Sequence, residues 1–239
     1  MEKSQPQVYD EYIKALMNIS QAITSDLFIE DILKLIVMVT ANVTDSAICS
    51  LWMVDENEKP PMIKLKATQA IQPEYVKDRA LYLNEGVVGH VASTQKPLII
   101  KDVLKNRRFK EKEMARKLGL VSMMGVPLKL NDERVIGVLN CFTSTPHDFS
   151  ETEINLVTAV ANQSALAILN AELMVKTKVI QEELETRKLV DKAKEVLMLR
   201  RNLKVEDAYR WIQKRSMNSR KSMRQVAEAV LLSDELYND

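Results

Sequence analysis

Hydrophobic residues recur at intervals of three and four in the first forty or so positions of the chain. The first run predicts a helix over residues 7–24, with Tyr12 and Ile19 on its apolar face. The second run predicts a helix from about Phe28 to Val43, with Asp26 as its N-terminal cap. The chain therefore opens with two amphipathic helices.

After these helices the pattern changes to short apolar runs and to strict alternation, which is typical of strands. Lys64, Lys66 and Thr68, for example, alternate with apolar residues. Two short helices are predicted between the strands, from Glu85 to Gly89 and from Glu111 to Leu118. The predicted strands are Ala47–Val54, Ile63–Ile71, Leu98–Ile100, Ser122–Leu130 and Arg134–Phe142.

A long helix follows the last predicted strand. Ser150 and Glu153 have the spacing of a capping box, and no glycine or proline interrupts the chain from there to about Arg201. The helix is therefore expected to be near fifty residues long. This order of elements predicts an α+β fold, in which helices pack on one face of an antiparallel sheet.

The middle of the long helix, residues 171–186, is predicted to link two domains. From Leu166 onward, the apolar residues of the helix are spaced three and four positions apart. The spacing is interrupted at Lys176, and polar residues lie between the apolar ones. A short parallel coiled coil is one interpretation, and a single exposed helix is the other. The apolar positions are Leu166, Leu169, Leu173, Ile180 and Leu184.

Residues 187–236 predict a small bundle of three helices. The second helix begins near Val205, and the third is opened by a capping box of Ser222 and Gln225. The residues expected to be buried are Val190, Ala193 and Leu197 in the first helix, Ala208, Tyr209 and Ile212 in the second, and Met223, Val226, Ala227, Val230 and Leu231 in the third.

The charge is divided unevenly along the chain, although the whole has a net charge of only +1. Residues 187–224 contain 13 Lys and Arg against 4 Asp and Glu, whereas residues 1–186 contain 21 against 25. A basic module joined to a mildly acidic one is typical of a domain that binds polyanions and is attached to a sensor domain. A solvated helical face is the plainer interpretation, and charge alone would fit DNA, RNA or an acidic protein.

The side chains that commonly perform catalysis or bind metals are few. Cys49 and Cys141 lie far apart and are flanked by apolar residues, so they are expected to be buried, reduced thiols. The chain has two histidines, His90 and His147, and these do not complete a metal site with the cysteines, so no metal site is predicted. The motifs of serine hydrolases, nucleotide-phosphate loops and zinc proteases are absent, so no enzyme is expected. A cytoplasmic protein without a membrane span is predicted.

The stretch LNEGVVGHVASTQKPLIIKDVLKNRRF, residues 83–109, resembles the GAF domain family. Three further segments continue the resemblance in the same order: Met124–Leu128, the VIGVLNCF segment at 135–142, and Phe149-Ser-x-x-Glu153. The resemblance covers residues 26–170. It implies an antiparallel sheet of about six strands with a small-molecule pocket on one face, and dimerisation through the terminal helices, including that of residues 1–25.

The resemblance does not identify a ligand or cofactor. The extended motif of the cyclic-nucleotide-binding members is not found, and two distant cysteines do not fit the members that reduce free methionine sulfoxide. Five residues are candidates for lining the pocket, with plain core packing as the other interpretation. A dimer scaffold without a sensing role is a further alternative. The five are Cys49, Trp52, Met123, Met124 and Cys141.

The C-terminal fifty residues resemble the ANTAR domain, a transcription-antitermination module. The resemblance rests on Ala193-Lys194, Leu197-Met198, Ala208, the turn at Met217-Asn218 and Val226-Ala227. It implies that a dimer binds two small hairpin loops in a nascent leader RNA and so prevents a terminator hairpin from forming. The function predicted is a signal-responsive antitermination regulator.

The candidates for RNA contact are basic, amide or aromatic residues of this module. Arginine and lysine contact phosphates, asparagine reads an unpaired base edge, and an aromatic ring stacks on a splayed base. Trp211 is alternatively a core or dimer contact, and Arg200, Arg201 and Arg210 are interpreted as solvated charge. A helix-turn-helix DNA regulator is the alternative function. The candidates are Lys194, Trp211, Arg215, Asn218, Arg220, Lys221 and Arg224.

Overall fold

The chain forms two compact units in a computed structural model that describes residues 5–22, 28–70, 79–131 and 134–238. The first unit comprises Met1–Glu172 and the second Leu173–Asp239. One helix contributes residues to both units. The predicted cap Asp26, the last two residues of the helix predicted over 7–24, and the predicted strand end Ile71 lie outside the described residues.

The first unit is an antiparallel six-stranded sheet with helices on both faces. Its strands are β1 (Ile48–Asp55), β2 (Met62–Thr68), β3 (Ala80–Tyr82), β4 (Leu98–Ile100), β5 (Ser122–Lys129) and β6 (Val135–Thr143). Its helices are α1 (Gln5–Ala22), α2 (Ile29–Thr44), α3 (Gly86–Thr94), α4 (Lys112–Leu118) and the first part of α5 (Glu151–Arg201). The strand order β3-β2-β1-β6-β5-β4 puts β1 and β6 at the centre of the sheet. The predicted α+β class is confirmed.

Successive side chains along each strand point to opposite faces of the sheet, and both faces are hydrophobic. Leu51 and Leu139 point to a core that contains residues of α1, α2 and α5, such as Ile36 and Ile168. The neighbouring residues on each strand point the other way, into a second core that contains residues of α3 and α4. The prediction that helices pack on one face of the sheet is therefore wrong, because the sequence pattern of two short helices does not show where they pack.

The long helix α5 begins with the predicted capping box. The Ser150 backbone N–H donates to Glu153 Oε2 at 2.7 Å, and the Glu153 backbone N–H donates to Ser150 Oγ at 3.2 Å. The helix has 51 residues, as its sequence predicted. Among the described residues it is the one helix whose length and apolar composition would suit a membrane span, but 44% of that apolar window is buried inside the protein. Core packing against the sheet accounts for this composition.

The second unit is the predicted three-helix module. Its first helix is the end of α5, not a separate helix, and the others are α6 (Val205–Ser219) and α7 (Met223–Asn238). The buried residues predicted in the first helix are confirmed, and Ile212 and Val226 pack against them. The capping box at the start of α7 is also confirmed, because the Gln225 backbone N–H donates to Ser222 Oγ at 3.2 Å.

Two predictions about individual elements are wrong. Tyr209 is 44% exposed, although it was expected in the core of the module. Ala208 and Ile212 define the buried face of α6, and Tyr209 lies about 100° away from Ala208 around the helix. Strand β3 was missed because three residues at a sheet edge carry too short a pattern to recognise.

Candidate ligand cavity and nucleic-acid interface

The first unit contains a small cavity between the second face of the sheet and the helices that cover it. The cavity volume is about 60 Å³. Aromatic and aliphatic side chains form most of its wall, and Phe109 and Phe142 meet edge to face with ring centroids 6.0 Å apart. Residues of the cavity wall include Ser50, Trp52, Val87, Phe109, Met123, Asn140 and Phe142.

Most polar groups of the cavity wall already have partners. Trp52 Nε1 donates to Ser50 Oγ at 3.2 Å, and Thr68 Oγ1 donates to the carbonyl oxygen of Cys49 at 3.1 Å. Arg79 forms an ion pair with Glu111 on the same wall. The amide oxygen of Asn140 differs, because no described residue hydrogen-bonds to it.

The structure separates the five predicted pocket residues into two groups. Trp52 and Met123 line the cavity. Cys49, Met124 and Cys141 instead lie in the other core, between the sheet and α1, α2 and α5. The grouping of all five around one pocket is therefore corrected: adjacent strand residues point to opposite faces, so Met123 and Met124 cannot both face the cavity.

The two cysteines are neighbours in space despite their separation in sequence. They are register partners on β1 and β6, and their Sγ atoms are 3.5 Å apart. Both are free and fully buried, as the sequence predicted. Burial raises the pKa of the Cys49 thiol well above its ordinary value, and the neighbouring Cys141 adds to this shift. A buried pair of thiols on the face opposite the cavity favours a structural role.

The described residues do not bring together three or more metal-ligating side chains. His147 is close to one carboxylate only, with Nε2 2.9 Å from Glu153 Oε1. His90 lies in α3, where its backbone carbonyl accepts hydrogen bonds from Ser93 and Thr94. The cavity is therefore the candidate small-molecule site among the described residues of the first unit.

The second unit contains a larger groove, which we call the basic groove. It lies between the end of α5 and the helices α6 and α7 and has a volume of about 590 Å³. Trp211, Arg215 and Ser219 face it because residues four apart share one side of a helix. Arg220 adopts a left-handed conformation with φ 53° and ends α6, and the next residue, Lys221, also lines the groove.

The electrostatics of the basic groove are strongly positive. Within the described part of the chain, Arg201, Arg215 and Lys221 have no carboxylate close enough for an ion pair. Arg200 is neutralised by Asp234, whose Oδ1 is 2.6 Å from the arginine Nε. The groove thus presents three uncompensated cations beside the Trp211 ring.

The predicted RNA contacts divide between this groove and other surfaces. Trp211, Arg215 and Lys221 line it, whereas Asn218 and Arg220 are exposed at the end of α6 without lining it. The remaining two predicted contacts are engaged in ion pairs elsewhere. Lys194 pairs with Asp191 at 2.6 Å, and Arg224 pairs with Glu228 at 2.9 Å and with Glu185 at 3.5 Å.

Arg200 and Arg201 were missed as members of this site. Both line the basic groove, and the Arg201 guanidinium lies over the Trp211 ring, 4.8 Å from its centroid. The contact joins α5 to α6 across the turn at 202–204, so the period of neither helix could reveal it. Trp211 is half-buried and packs against the core of the module with its inner edge.

Models of two protein families match the chain, one in each part. The GAF domain model matches residues 26–169, which is more than half of the chain, and the ANTAR domain model matches residues 178–231. The predicted order of the two domains is confirmed. The ANTAR match begins nine residues before the predicted start at Arg187 and ends before the predicted end at Leu236.

Curated relatives match a short part of the chain. The transcriptional regulatory protein PdtaR of Mycobacterium tuberculosis is 46% identical over 52 residues, which cover 22% of this chain and 25% of that protein. The chain therefore spans about a quarter of the length of the curated relatives it matches.

Solved structures match the sheet domain. The GAF domain of an Acinetobacter phosphoenolpyruvate-protein phosphotransferase has a TM-score of 0.57 and 27% identity, covering 69% of this chain and 97% of that one. The GAF domain of a phosphoenolpyruvate-protein phosphotransferase of Coxiella burnetii has a TM-score of 0.59 and 24% identity, covering 70% and 97%. At 24% identity, the similarity to the Coxiella burnetii domain shows the fold alone.

Proposed function

The chain belongs to the GAF domain family and carries an ANTAR domain after it, and we propose that it is a signal-responsive regulator of transcription antitermination. A dimer of the chain binds paired hairpin loops in a leader RNA and prevents a terminator hairpin from forming. The GAF domain binds the signal. The protein acts in the cytoplasm and has no catalytic activity of its own.

The basic groove is the observation that carries this proposal. Arg201, Arg215 and Lys221 offer positive charge that no described carboxylate neutralises, which suits phosphates. The Arg201 guanidinium covers the half-buried Trp211 ring, and an unpaired base can stack on this pair. Phosphate binding beside base stacking is the usual way in which proteins hold the single-stranded loops of RNA. A regular duplex does not present splayed bases, so the aromatic surface favours RNA loops over DNA.

An exposed apolar stripe on α5 supports the pairing of two chains. Leu173 and Ile180 are seven residues apart, Leu184 follows four residues later, and the three side chains are 49%, 56% and 52% exposed. A seven-residue apolar repeat is the pattern by which two parallel helices pack together. Two linked modules gain affinity for two linked loops, because the second loop binds at a high effective concentration.

The cavity of the sheet domain supports the sensing role. It is enclosed mainly by apolar walls, and it retains one polar atom, Asn140 Oδ1, without a partner among the described residues. Pockets that bind small molecules combine apolar walls with a few polar groups that orient the ligand. The α5 helix contributes residues to the sheet domain and to the RNA-binding module, and it is the route by which we propose that ligand binding affects the module.

The groove is tested by reversing one charge inside it and one outside it on the same helix. We expect Arg215→Glu to weaken binding of a two-hairpin RNA by about tenfold or more and to reduce the salt dependence of log K by about one unit. Arg210→Glu changes the net charge equally, and Arg210 does not line the groove, so its effect should be several-fold smaller. Titrations at four salt concentrations measure both quantities.

Duplex DNA of the same sequence serves as the competitor in these titrations. Equal losses in Arg215→Glu and Arg210→Glu would show that the groove is not the interface. Equal affinity of the wild-type chain for the duplex DNA would support the helix-turn-helix alternative.

A further inference from the structure

Asn140 carries a buried polar atom that no described residue of the protein satisfies. The residue lies on the central strand β6, is 2% exposed and lines the cavity of the sheet domain. No described residue donates a hydrogen bond to its Oδ1. A buried acceptor without a donor destabilises a protein, so a donor is needed from elsewhere.

The residue opposite Asn140 leaves room beside this oxygen. Gly125 is its register partner on β5. A Cβ atom at Gly125 would lie 2.9 Å from Asn140 Oδ1 and 3.3 Å from Val91 Cγ2, which is too close for either neighbour without movement. Glycine at this position therefore allows the Asn140 amide to keep its place in the cavity wall.

The charged residues in the described part of the cavity wall are already paired. Arg79 is bound to Glu111, and Lys110 is bound to Glu85. A ligand with a negative charge would have to break one of these pairs or be buried without a counter-ion, and both are costly. The wall therefore favours an uncharged ligand.

The size and lining of the cavity limit the ligand further. The cavity volume of about 60 Å³ suits a body of a few heavy atoms, and Trp52 and Phe142 form flat apolar surfaces around it. We propose that the cavity binds a small uncharged molecule whose apolar body packs on Trp52 and Phe142 and whose N–H or O–H group donates to Asn140 Oδ1. This inference rests on the proposed sensing role of the domain and specifies the chemistry of its ligand.

Three small probes separate the parts of this proposal. Pyrrole has an uncharged ring with an N–H donor, furan has the same ring with an oxygen in place of the N–H, and propionate carries a charge. The full chain is titrated with each probe and followed through the NMR signals of its methionine methyl groups. Met123 and Met114 line the cavity, whereas Met124 faces the other core and reports changes that are not local.

We expect pyrrole to shift the Met123 and Met114 signals saturably, with an affinity at least about fivefold above that of furan. Propionate should give no saturable shift. Among the three methionine signals, that of Met124 should shift least. In Asn140→Leu the affinity for pyrrole should fall to that for furan. In Gly125→Ala pyrrole should bind more weakly, because the added methyl group would lie 2.9 Å from Asn140 Oδ1 and displace the amide.

Asn162→Leu is the matched control. Asn162 lies on α5, and its Oδ1 is likewise without a partner among the described residues, but it does not line the cavity. This variant should bind pyrrole as the wild-type chain does. Asn140→Leu removes an unsatisfied polar group and is expected to remain folded, which its unchanged Met124 signal would verify.

The proposal is overturned if pyrrole gives no saturable shift, if furan or propionate binds as tightly as pyrrole, or if Asn140→Leu binds pyrrole normally. Titration of the wild-type chain with two-hairpin RNA separates this failure from failure of the antitermination proposal. A wild-type chain that binds pyrrole as expected but does not bind the RNA would contradict the RNA-binding role and leave the ligand chemistry standing.

Discussion

Glu153 connects three groups at the start of the long helix. Its Oε2 accepts hydrogen bonds from the Ser150 backbone N–H at 2.7 Å and from the Ser150 hydroxyl at 2.8 Å, while Oε1 lies 2.9 Å from His147 Nε2. Burial acts to raise the pKa of Glu153, but the hydrogen bonds from Ser150 and His147 outweigh it and lower the pKa below its ordinary value. The ionised carboxylate is thus the form that the folded domain prefers.

This preference predicts a pH-dependent loss in Glu153→Gln. Because the folded state lowers the pKa, the stabilisation is fully present above the ordinary glutamate pKa of 4.5 and is lost as the pH falls through the lowered folded value. At pH 7 the variant should be less stable by about 1 kcal/mol, a typical value for a helix cap. The difference should shrink as the pH falls below 4.5.

Urea unfolding followed by Trp52 fluorescence in a Trp211→Phe background measures the stability of the sheet domain alone. Glu151→Gln is the control, because Glu151 is an exposed residue of the same helical turn, with the same charge. A difference between wild type and Glu153→Gln that does not shrink as the pH falls from 4.5 to about 3 would contradict the assignment.

Individual residues also show what a sequence pattern could not supply. Asn140 lies within the apolar segment VIGVLNCF, and only the pairing of β6 assigns its side chain to the cavity. Cys49 and Cys141 are adjacent only because β1 pairs with β6, which is a contact across 92 positions. The local alternation of apolar and polar residues identifies a strand. It does not determine the register with which two strands distant in sequence pair.

At the scale of elements, the long helix and the capping boxes were predictable from the sequence because their determinants are local. Ser150 with Glu153 and Ser222 with Gln225 each lie within four residues, and the absence of glycine and proline extends over the whole of α5. The basic groove was only partly predictable. Helical period places Trp211 and Arg215 together, but the approach of Arg201 depends on how two helices pack.

The apolar stripe of α5 gives a prediction at the same scale. Ile180→Glu combined with Leu184→Glu should convert a dimer into a monomer, because each introduced charge would be buried in a helix pair. Both side chains are more than half exposed in the single chain, so its own folding should be unaffected. Light scattering gives the mass, and affinity for a two-hairpin RNA should fall by about 100-fold.

Lys178→Glu is the control for the stripe. It changes the net charge by the same two units as the double variant. Lys178 is exposed, and it lies about 160° around the helix from Ile180. This variant should remain dimeric. A wild-type chain that is monomeric at the concentrations used for RNA binding, or a double variant that is still dimeric, would contradict the role of the stripe.

At the scale of the whole molecule, two chemically different sites occur on one chain. The cavity of the sheet domain is apolar, small and free of uncompensated charge in its described wall, and it suits a neutral molecule. The basic groove is open, positive and aromatic, and it suits RNA loops. The division of charge seen in the sequence therefore corresponds to a division of binding chemistry between two units.

Selection of RNA by the full-length chain tests the central claim most directly. The pool consists of leader-like transcripts with two hairpins whose loops are randomised, and the enriched transcripts are then tested with one hairpin deleted. The account predicts that enriched RNAs keep both hairpins, that loss of one weakens binding by about 100-fold, and that duplex DNA of the same sequence does not compete. Enriched RNAs that bind equally well with one hairpin, or duplex DNA that competes equally, would contradict it.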